Sequence, residues 1–460
     1  MKSYDWVDSL VRMLSERGRG MVRKPSQAVR ASDDVEHSID LCNELLSETG
    51  EALGTALAQR VVELLSGLDE AAQGRFLRRL ANDFGPNDAD VRAAFELWTS
   101  KGSPGARNAL MAAIEGRRQR LFRRINMAPS GTAALVQMRG WLLRNLERDA
   151  SLREVDDDLR HLLVSWFNRG FLEFHAINWQ TSADILEKLI AYESVHAVNG
   201  WGDLRRRLAP DRRCYAFFHP ALPREPLIFV EVALQRGLTQ AVGPILEAPI
   251  SSAIRADTAI FYSISNCQDG LRGVNFGNFL IKQVVDELQR EMPQLTTFST
   301  LSPVPGFRSW LAALDDRQLT DAVGPHFATL QASFGSIEPK AVRERLFEVG
   351  AEATAACEAL RRACALYLCG LPGGPVDPVA KFHLGNGARL ERINLHGDAS
   401  AKGRAQSFGI MVNYLYEPER IVSNHQAFAT TRRTPRSAAV DAVLEAKAGS
   451  VAAQVYAGAG

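Results

Sequence analysis

The chain has 460 residues, of which 46% are hydrophobic and 23% charged, and its formal net charge is +1. That composition excludes a disordered or collagenous chain, and the near balance of charge gives no global attraction to nucleic acid or an anionic membrane. Domains run roughly 100–200 residues, so two or three are expected.

Cys42, Cys214, Cys267, Cys357, Cys364 and Cys369 form no CxxC pair and no Cys/His zinc pattern, so reduced thiols and no metal are expected. The start, Met1 to Trp6, lacks the apolar run of a secretory signal. No stretch approaches the ~18 consecutive apolar residues of a membrane span, and Ala457 to Gly460 is no peroxisomal address. The expectation is a cytoplasmic protein with neither a membrane nor a nucleic-acid partner.

Residues 1–190 read as helix after helix. Leu135, Met138, Leu142 and Leu146 fall at spacings of three and four within 131–150. Ser151 and Glu154 form a capping-box pattern ahead of Leu159, Leu162, Leu163 and Trp166, with Gly170 as the stop. Thr181 and Asp184 open a further helix through Leu189 and Ile190. No strand signal stands out in this half. The basic run Arg117, Arg118, Arg120, Arg123, Arg124 reads as a solvated helix face or a subunit contact, because no aromatic residues interleave it.

The texture changes near residue 200. Cys214 to His219 and Leu227 to Leu234 are β-rich runs separated by a Pro-rich turn, and Thr258 to Ser265 is a third strand. A glycine-bearing loop leads into a helix over about 275–291, and Thr296 to Leu301 is a fourth strand. Helices return from about Val304 to Cys369, then a Gly/Pro loop to Pro375. His383 to Asn394 and Ser407 to Tyr416 read as later strand or loop elements, and a tail helix starts near Ser437. The reading is an α+β chain: an all-helical domain over 1–190, then a mixed-sheet domain over 191–460.

The loop carries the first chemistry. Its core is Asp269-Gly270-Leu271-Arg272-Gly273-Val274-Asn275, followed by Phe276-Gly277. Glycines at 270, 273 and 277 are expected to let backbone approach a ligand. The free N–H groups and dipole of the next helix suit a pyrophosphate. Residues 272–277 resemble the pyrophosphate loop of GCN5-related acetyltransferases and depart from it at Asn275, where that pattern has Gly.

Three ordered blocks together resemble the malonyl-CoA decarboxylase family. They are that loop with its helix through Val285, then Phe298-Ser299-Thr300-Leu301-Ser302-Pro303-Val304-Pro305-Gly306-Phe307, then Phe382-His383-Leu384-Gly385-Asn386-Gly387-Ala388 with Arg392-Ile393-Asn394 and Asn413-Tyr414-Leu415-Tyr416. The resemblance covers most of 195–420 and, more loosely, the helical front. It implies a helical domain engaged in oligomer contacts and a catalytic domain like the GCN5-related acetyltransferases (GNAT fold). It implies Ser299 and His383 as the catalytic pair, Asp269 to Asn275 along the CoA thioester, and Tyr416 in the hydrogen-bond network near His383. It also implies no metal or organic cofactor, and a homotetramer or dimer of dimers.

Those residue types suit the chemistry. Loss of CO2 from malonyl-CoA puts two electrons on the α-carbon, and the adjacent thioester carbonyl accepts them as an enolate, giving acetyl-CoA after protonation. The protein must hold the carboxylate out of the thioester plane, donate hydrogen bonds to the oxyanion from backbone N–H groups at the strand–loop junction or at Ser299, and deliver a proton. His383, titrating near neutrality, is the expected donor, with Ser299 assisting. His219, His396, His425 and Glu231 are lesser candidates for the pocket. The alternatives are an acyl-CoA-dependent acyltransferase and a non-catalytic acyl-CoA sensor. A Ser–His hydrolase fits poorly, since no G-x-S-x-G elbow surrounds Ser299.

Overall fold

The protein is described by a computed structural model covering residues 27–274, 280–370, 375 and 377–445. Asn275, most of the Gly/Pro loop and the end of the tail lie outside the described residues. The chain divides into two compact units. Met1–Glu173 with Phe218–Leu227 and Gln268–Phe276 form one; Phe174–Phe217, Ile228–Cys267 and Gly277–Gly460 form the other.

The first unit is helical, and its local signals explain where each helix begins. Asp69 caps Glu70–Asp83 through Ala72 N–H, Asn87 caps Asp88–Lys101, and Ser103 with Pro104 starts Pro104–Ile125. Helices Gly131–Asn145 and Arg153–Trp166 follow. Asp149, not Ser151, supplies the cap between them, accepting from Ser151 N–H ahead of a 3₁₀ turn at Ala150–Leu152. The apolar faces meet in one core that includes Phe76, Leu80, Phe122, Leu135, Leu142 and Leu159.

Arg117, Arg120 and Arg123 of the basic run are exposed, as a solvated face requires, but Arg118 and Arg124 turn inward. Helix Pro104–Ile125 kinks at Gly116, where φ is 70°, and this turns Arg118 inward until it is 2% exposed. Its Nε donates to Asp158 at 2.6 Å and its Nη1 to the carbonyls of Leu80 and Ala81. Arg124 donates to the carbonyls of Leu45 and Glu48 at 2.7 and 2.6 Å. These guanidiniums satisfy carbonyls at helix ends that no backbone N–H reaches.

The second unit is built on an eight-stranded sheet: β1 (Glu173–Ile177), β2 (Arg212–Phe218), β3 (Ile228–Gln235), β4 (Thr258–Asn266), β5 (Thr297–Thr300), β6 (Ser302–Pro303), β7 (Arg389–Asn394) and β8 (Met411–Tyr416). β1 lies inside the stretch expected to be all helical. It is a short, largely exposed edge strand, with no alternation to betray it, and Phe174 stacks on Tyr215 of β2 at 5.2 Å. Strands β2 to β4 pair antiparallel, and β3 is buried from Ile228 to Leu234, as a central strand with both faces covered must be.

The central pair, β4 with β5, is parallel and short, running from Thr258↔Thr297 to Phe261↔Thr300. β4 continues to Asn266 paired with β3 alone, so the two strands part company at Phe261. β5 and β6 share one edge of β8, while β7 holds the other. A helical region followed in the chain by a mixed sheet is the α+β architecture expected.

Breaking a buried ion pair on one side costs on the order of 3 kcal/mol. Arg118→Met should therefore lower the unfolding free energy by about that amount, since Asp158 loses its cation, keeping only Gln119 as donor, and two carbonyls lose theirs. Arg120→Met, two residues along and exposed, should stay within about 0.5 kcal/mol. Urea unfolding of the two variants checks the contrast.

Candidate active site

The segment around Ser299 starts as ordinary strand and then loses its ladder. β5 meets β8 at Phe298↔Tyr416 and Ser299↔Leu415, and the same register returns in β6 at Ser302↔Val412. Between them side chains stand in for backbone. Tyr414 N–H donates to Thr300 Oγ1 at 3.1 Å, Ser299 Oγ donates to the carbonyls of Tyr414 and Thr300 at 3.2 Å, and Asn413 Nδ2 donates to Thr300 O at 2.7 Å. All of these groups are buried, so each replaced bond matters.

His383 approaches from a helix rather than the strand or loop expected. Asp377 caps Pro378–Gly385 by accepting from Val379 and Ala380 N–H, and Pro378 occupies the first helical position. The ring is 3% exposed and lies flat against Tyr414, with centroids 4.7 Å apart. Nδ1 is 2.9 Å from the Tyr416 hydroxyl and Nε2 is 3.0 Å from Ser302 Oγ. Ser302 Oγ in turn donates to Thr300 Oγ1 at 2.8 Å.

His383 therefore meets Tyr416, and the serine hydroxyl within its hydrogen-bond reach is that of Ser302, while Ser299 Oγ bonds the carbonyls of Tyr414 and Thr300. The physical reason is parity. In extended chain, side chains alternate faces, so Thr300 and Ser302 share a face and Ser299 points to the other. Ser299 is also embedded between β4 and β8, paired with Ile260 and Leu415, so its backbone serves the sheet.

The bonds define one consistent proton arrangement. If Ser302 gives its proton to Thr300, it must accept from Nε2–H, which leaves Nδ1 to accept from the Tyr416 hydroxyl. Burial pushes the His383 pKa down to about 3, because the charged ring would be desolvated. An imidazole titrating near neutrality was expected; the buried ring is neutral. Burial raises Tyr416 well above the usual phenol range, so it keeps its proton. The Tyr414 hydroxyl, also buried, finds no hydrogen-bond partner among the described residues.

The glycine-bearing turn belongs to the first unit. Asp269–Leu271 is a 3₁₀ turn in which Leu271, Arg272 and Val274 N–H bond back to Gln268, Asp269 and Leu271 carbonyls. Asp269 and Arg272 are exposed and face each other at 3.4 Å, while Leu271 and Val274 are buried. Gly273 has φ 77°, where a side chain would be strained. Gly270 meets a packing need: a Cβ there would sit 1.8 Å from the Val136 carbonyl of helix Gly131–Asn145. From that helix Arg139, 2% exposed and paired with Asp156, donates to the carbonyls of Gly270 and Arg272 at 2.7 and 2.9 Å. The free N–H groups expected at the next helix start fall at 275–279, outside the described residues.

Three of the lesser candidates make structural hydrogen bonds, and His396 lies just past the end of β7, lining a separate cavity. Glu231, 2% exposed, accepts from Arg207 at 2.7 Å, and Arg207 also donates to the carbonyl of His196. His219 accepts from Ala221 N–H and so donates to the carbonyl of Trp166. His425 bonds the carbonyl of Gly385. Among the described residues no three His, Cys, Asp or Glu side chains gather as metal ligands would, and no helix is long and apolar enough to cross a membrane.

Set beside known proteins, this chain matches two family profiles: the malonyl-CoA decarboxylase N-terminal domain over residues 84–167 and the malonyl-CoA decarboxylase C-terminal domain over 170–454. It is 34% identical to the mitochondrial malonyl-CoA decarboxylase of Anser anser anser, over 93% of this chain and 92% of that one. With the Rattus norvegicus mitochondrial enzyme the identity is 36%, over 82% of each. Among solved structures, the malonyl-CoA decarboxylase of Rhodopseudomonas palustris superposes with a TM-score of 0.80 at 47% identity, covering 88% of this chain and 98% of that one. The Agrobacterium vitis malonyl-CoA decarboxylase gives 0.78 at 46%, covering 89% and 100%.

The His383 pKa has a measurable consequence. The unfolded ring takes up a proton near pH 6.5, whereas the folded one holds out to about 3. Above pH 6.5 both states are neutral; as pH falls from there towards 3 the unfolded state gains by about 1.4 kcal/mol per pH unit. A plot of unfolding free energy against pH should therefore be flatter by that slope in His383→Gln than in the wild type, and the imidazole nitrogen resonances should stay neutral at pH 5.

Proposed function

Since the chain belongs to the malonyl-CoA decarboxylase family, we propose that it converts malonyl-CoA to acetyl-CoA and CO2, with Ser302, His383 and Tyr416 as a neutral proton relay. The observation that carries this reading is the bond from His383 Nε2 to Ser302 Oγ, closed on the far nitrogen by Tyr416.

The substrate supplies its own electron sink, so the residues need only orient, stabilise and protonate. As the C–C bond breaks, the electron pair passes through the α-carbon to the thioester carbonyl and CO2 leaves. The enolate then takes the Ser302 proton at carbon, Ser302 recovers one from Nε2–H, and Nδ1 recovers one from the Tyr416 hydroxyl. One proton from solvent closes the cycle, matching the one consumed when malonyl-CoA becomes acetyl-CoA and CO2.

The coenzyme assignments rest on the resemblance. Asp269, Gly270, Leu271, Arg272, Gly273, Val274 and Asn275 take the CoA pyrophosphate and pantetheine arm in this reading. The exposed Arg272 guanidinium offers a phosphate a fork of N–H donors, and Arg139 keeps the turn in shape. Metal and organic cofactors have no step in this scheme. A homo-oligomer, tetramer or dimer of dimers, fits the helices Asp88–Lys101 and Pro104–Ile125, which leave Phe95, Trp98, Met111 and Ile114 exposed. The cytoplasm remains the expected compartment.

Removing a general acid typically costs ~10²–10⁴-fold in rate. Ser302→Ala and His383→Ala should each lose turnover of malonyl-CoA by about that factor while CoA affinity is kept. Ser299→Ala should keep turnover within about threefold and lose stability instead, as a buried carbonyl loses its donor. Acetyl-CoA formation followed by mass in a chelator-containing buffer separates the two serines. The reverse ranking would return the role to Ser299. An absolute requirement for an added amine would point to an acyltransferase.

A further inference from the structure

Away from the relay, the second unit contains a cavity of about 480 Å³ between the β7 end and helix Ala438–Glu445. None of the relay residues lines it. Its lining joins two cations, Arg361 and Arg392, to the apolar side chains Ile393, Val440 and Val443, with His396 and Asn394 also present.

The cations are incompletely answered. Arg361 gives its Nη1 to Glu358 at 2.7 Å, but its Nε is buried with no partner among the described residues. Arg392 donates only to neutral acceptors, Asn413 Oδ1 at 3.3 Å and Thr239 O at 3.1 Å. Burial lowers its pKa, and no carboxylate of the described residues pairs with it, although Glu391 acts on it at longer range. The wall is held in place: Asn413, itself fixed to Thr300 O at 2.7 Å, accepts from both Arg392 and Asn394. A half-buried, preorganised pair of guanidiniums, one without a carboxylate and the other with its Nε unpaired among the described residues, suits an anion.

We propose that this cavity binds a small monocarboxylate with an aliphatic body, its carboxylate on Arg361 and Arg392 and its chain against Ile393, Val440 and Val443. A carboxylate matches the guanidinium fork. An inorganic anion would leave the apolar wall and most of the volume unused, and a neutral alcohol would leave the cations unanswered.

Calorimetric titration of the full chain with octanoate tests this, with octan-1-ol and inorganic phosphate as comparators. The expected result is saturable one-to-one binding of octanoate. It should weaken about tenfold or more in Arg361→Met and be lost in Val443→Trp, which fills the cavity. Both variants should keep the wild-type melting temperature. Failure of octanoate to saturate would overturn the proposal. So would equal binding to wild type and both variants, or phosphate binding as tightly as octanoate.

Discussion

The candidate site depends on a short failure of strand pairing. From Thr300 to Ser302 the β5–β6 strand lacks a regular ladder with β8, and three side chains supply the missing bonds: Thr300 to Tyr414 N–H, Ser299 to the Tyr414 carbonyl, and Asn413 to the Thr300 carbonyl. An uninterrupted ladder would need none of them. The interruption leaves the register of β8 unchanged on either side, so Ser302 is presented to His383 from a fixed position. Buried hydrogen-bond networks of this kind are worth most when every member is satisfied, and here the tolerance for change is small.

Buried and half-buried arginines do comparable work elsewhere. Arg118 and Arg139 in the helical unit, and Arg207 and Arg392 in the sheet unit, each direct at least one N–H at a backbone carbonyl. Arg118, Arg139 and Arg207 also meet a carboxylate, which offsets the cost of removing a guanidinium from water. Arg392 does not, and that difference is what sets its cavity apart from a structural crossing point. Arg139 shows the other use: by holding the Gly270 and Arg272 carbonyls it fixes a turn whose own N–H groups are spent internally.

Much of the fold was legible because strands β2, β3 and β4 are β-rich runs bounded by Pro and Gly, and the helical front has clear spacings and stops. What escaped was set by tertiary contact. β1 exists because Phe174 finds Tyr215; Arg118 of the basic run is internal because a positive-φ glycine at 116 turns the helix. His383 sits on a helix announced by Asp377-Pro378, a start signal weaker to the eye than the β-like run that follows it. Ser302 was within reach by alternation, since Thr300 and Ser302 must share a face and Ser299 cannot join them. Which of the two faces meets His383 is decided only when Pro378–Gly385 packs against β8.

The buried, neutral ring also suits the proposed chemistry better than the imidazolium first expected. An imidazolium beside malonyl-CoA would pair with the departing carboxylate, and this would stabilise the ground state more than the transition state, in which that charge is moving away to the thioester oxygen. A neutral donor makes no such pair. The negative charge that reaches Tyr416 when the enolate is protonated is cleared by the single proton from solvent. The relay Tyr416–His383–Ser302 holds one movable proton at each member and no net charge, so it can meet a carbanion without first holding back the carboxylate that generates it.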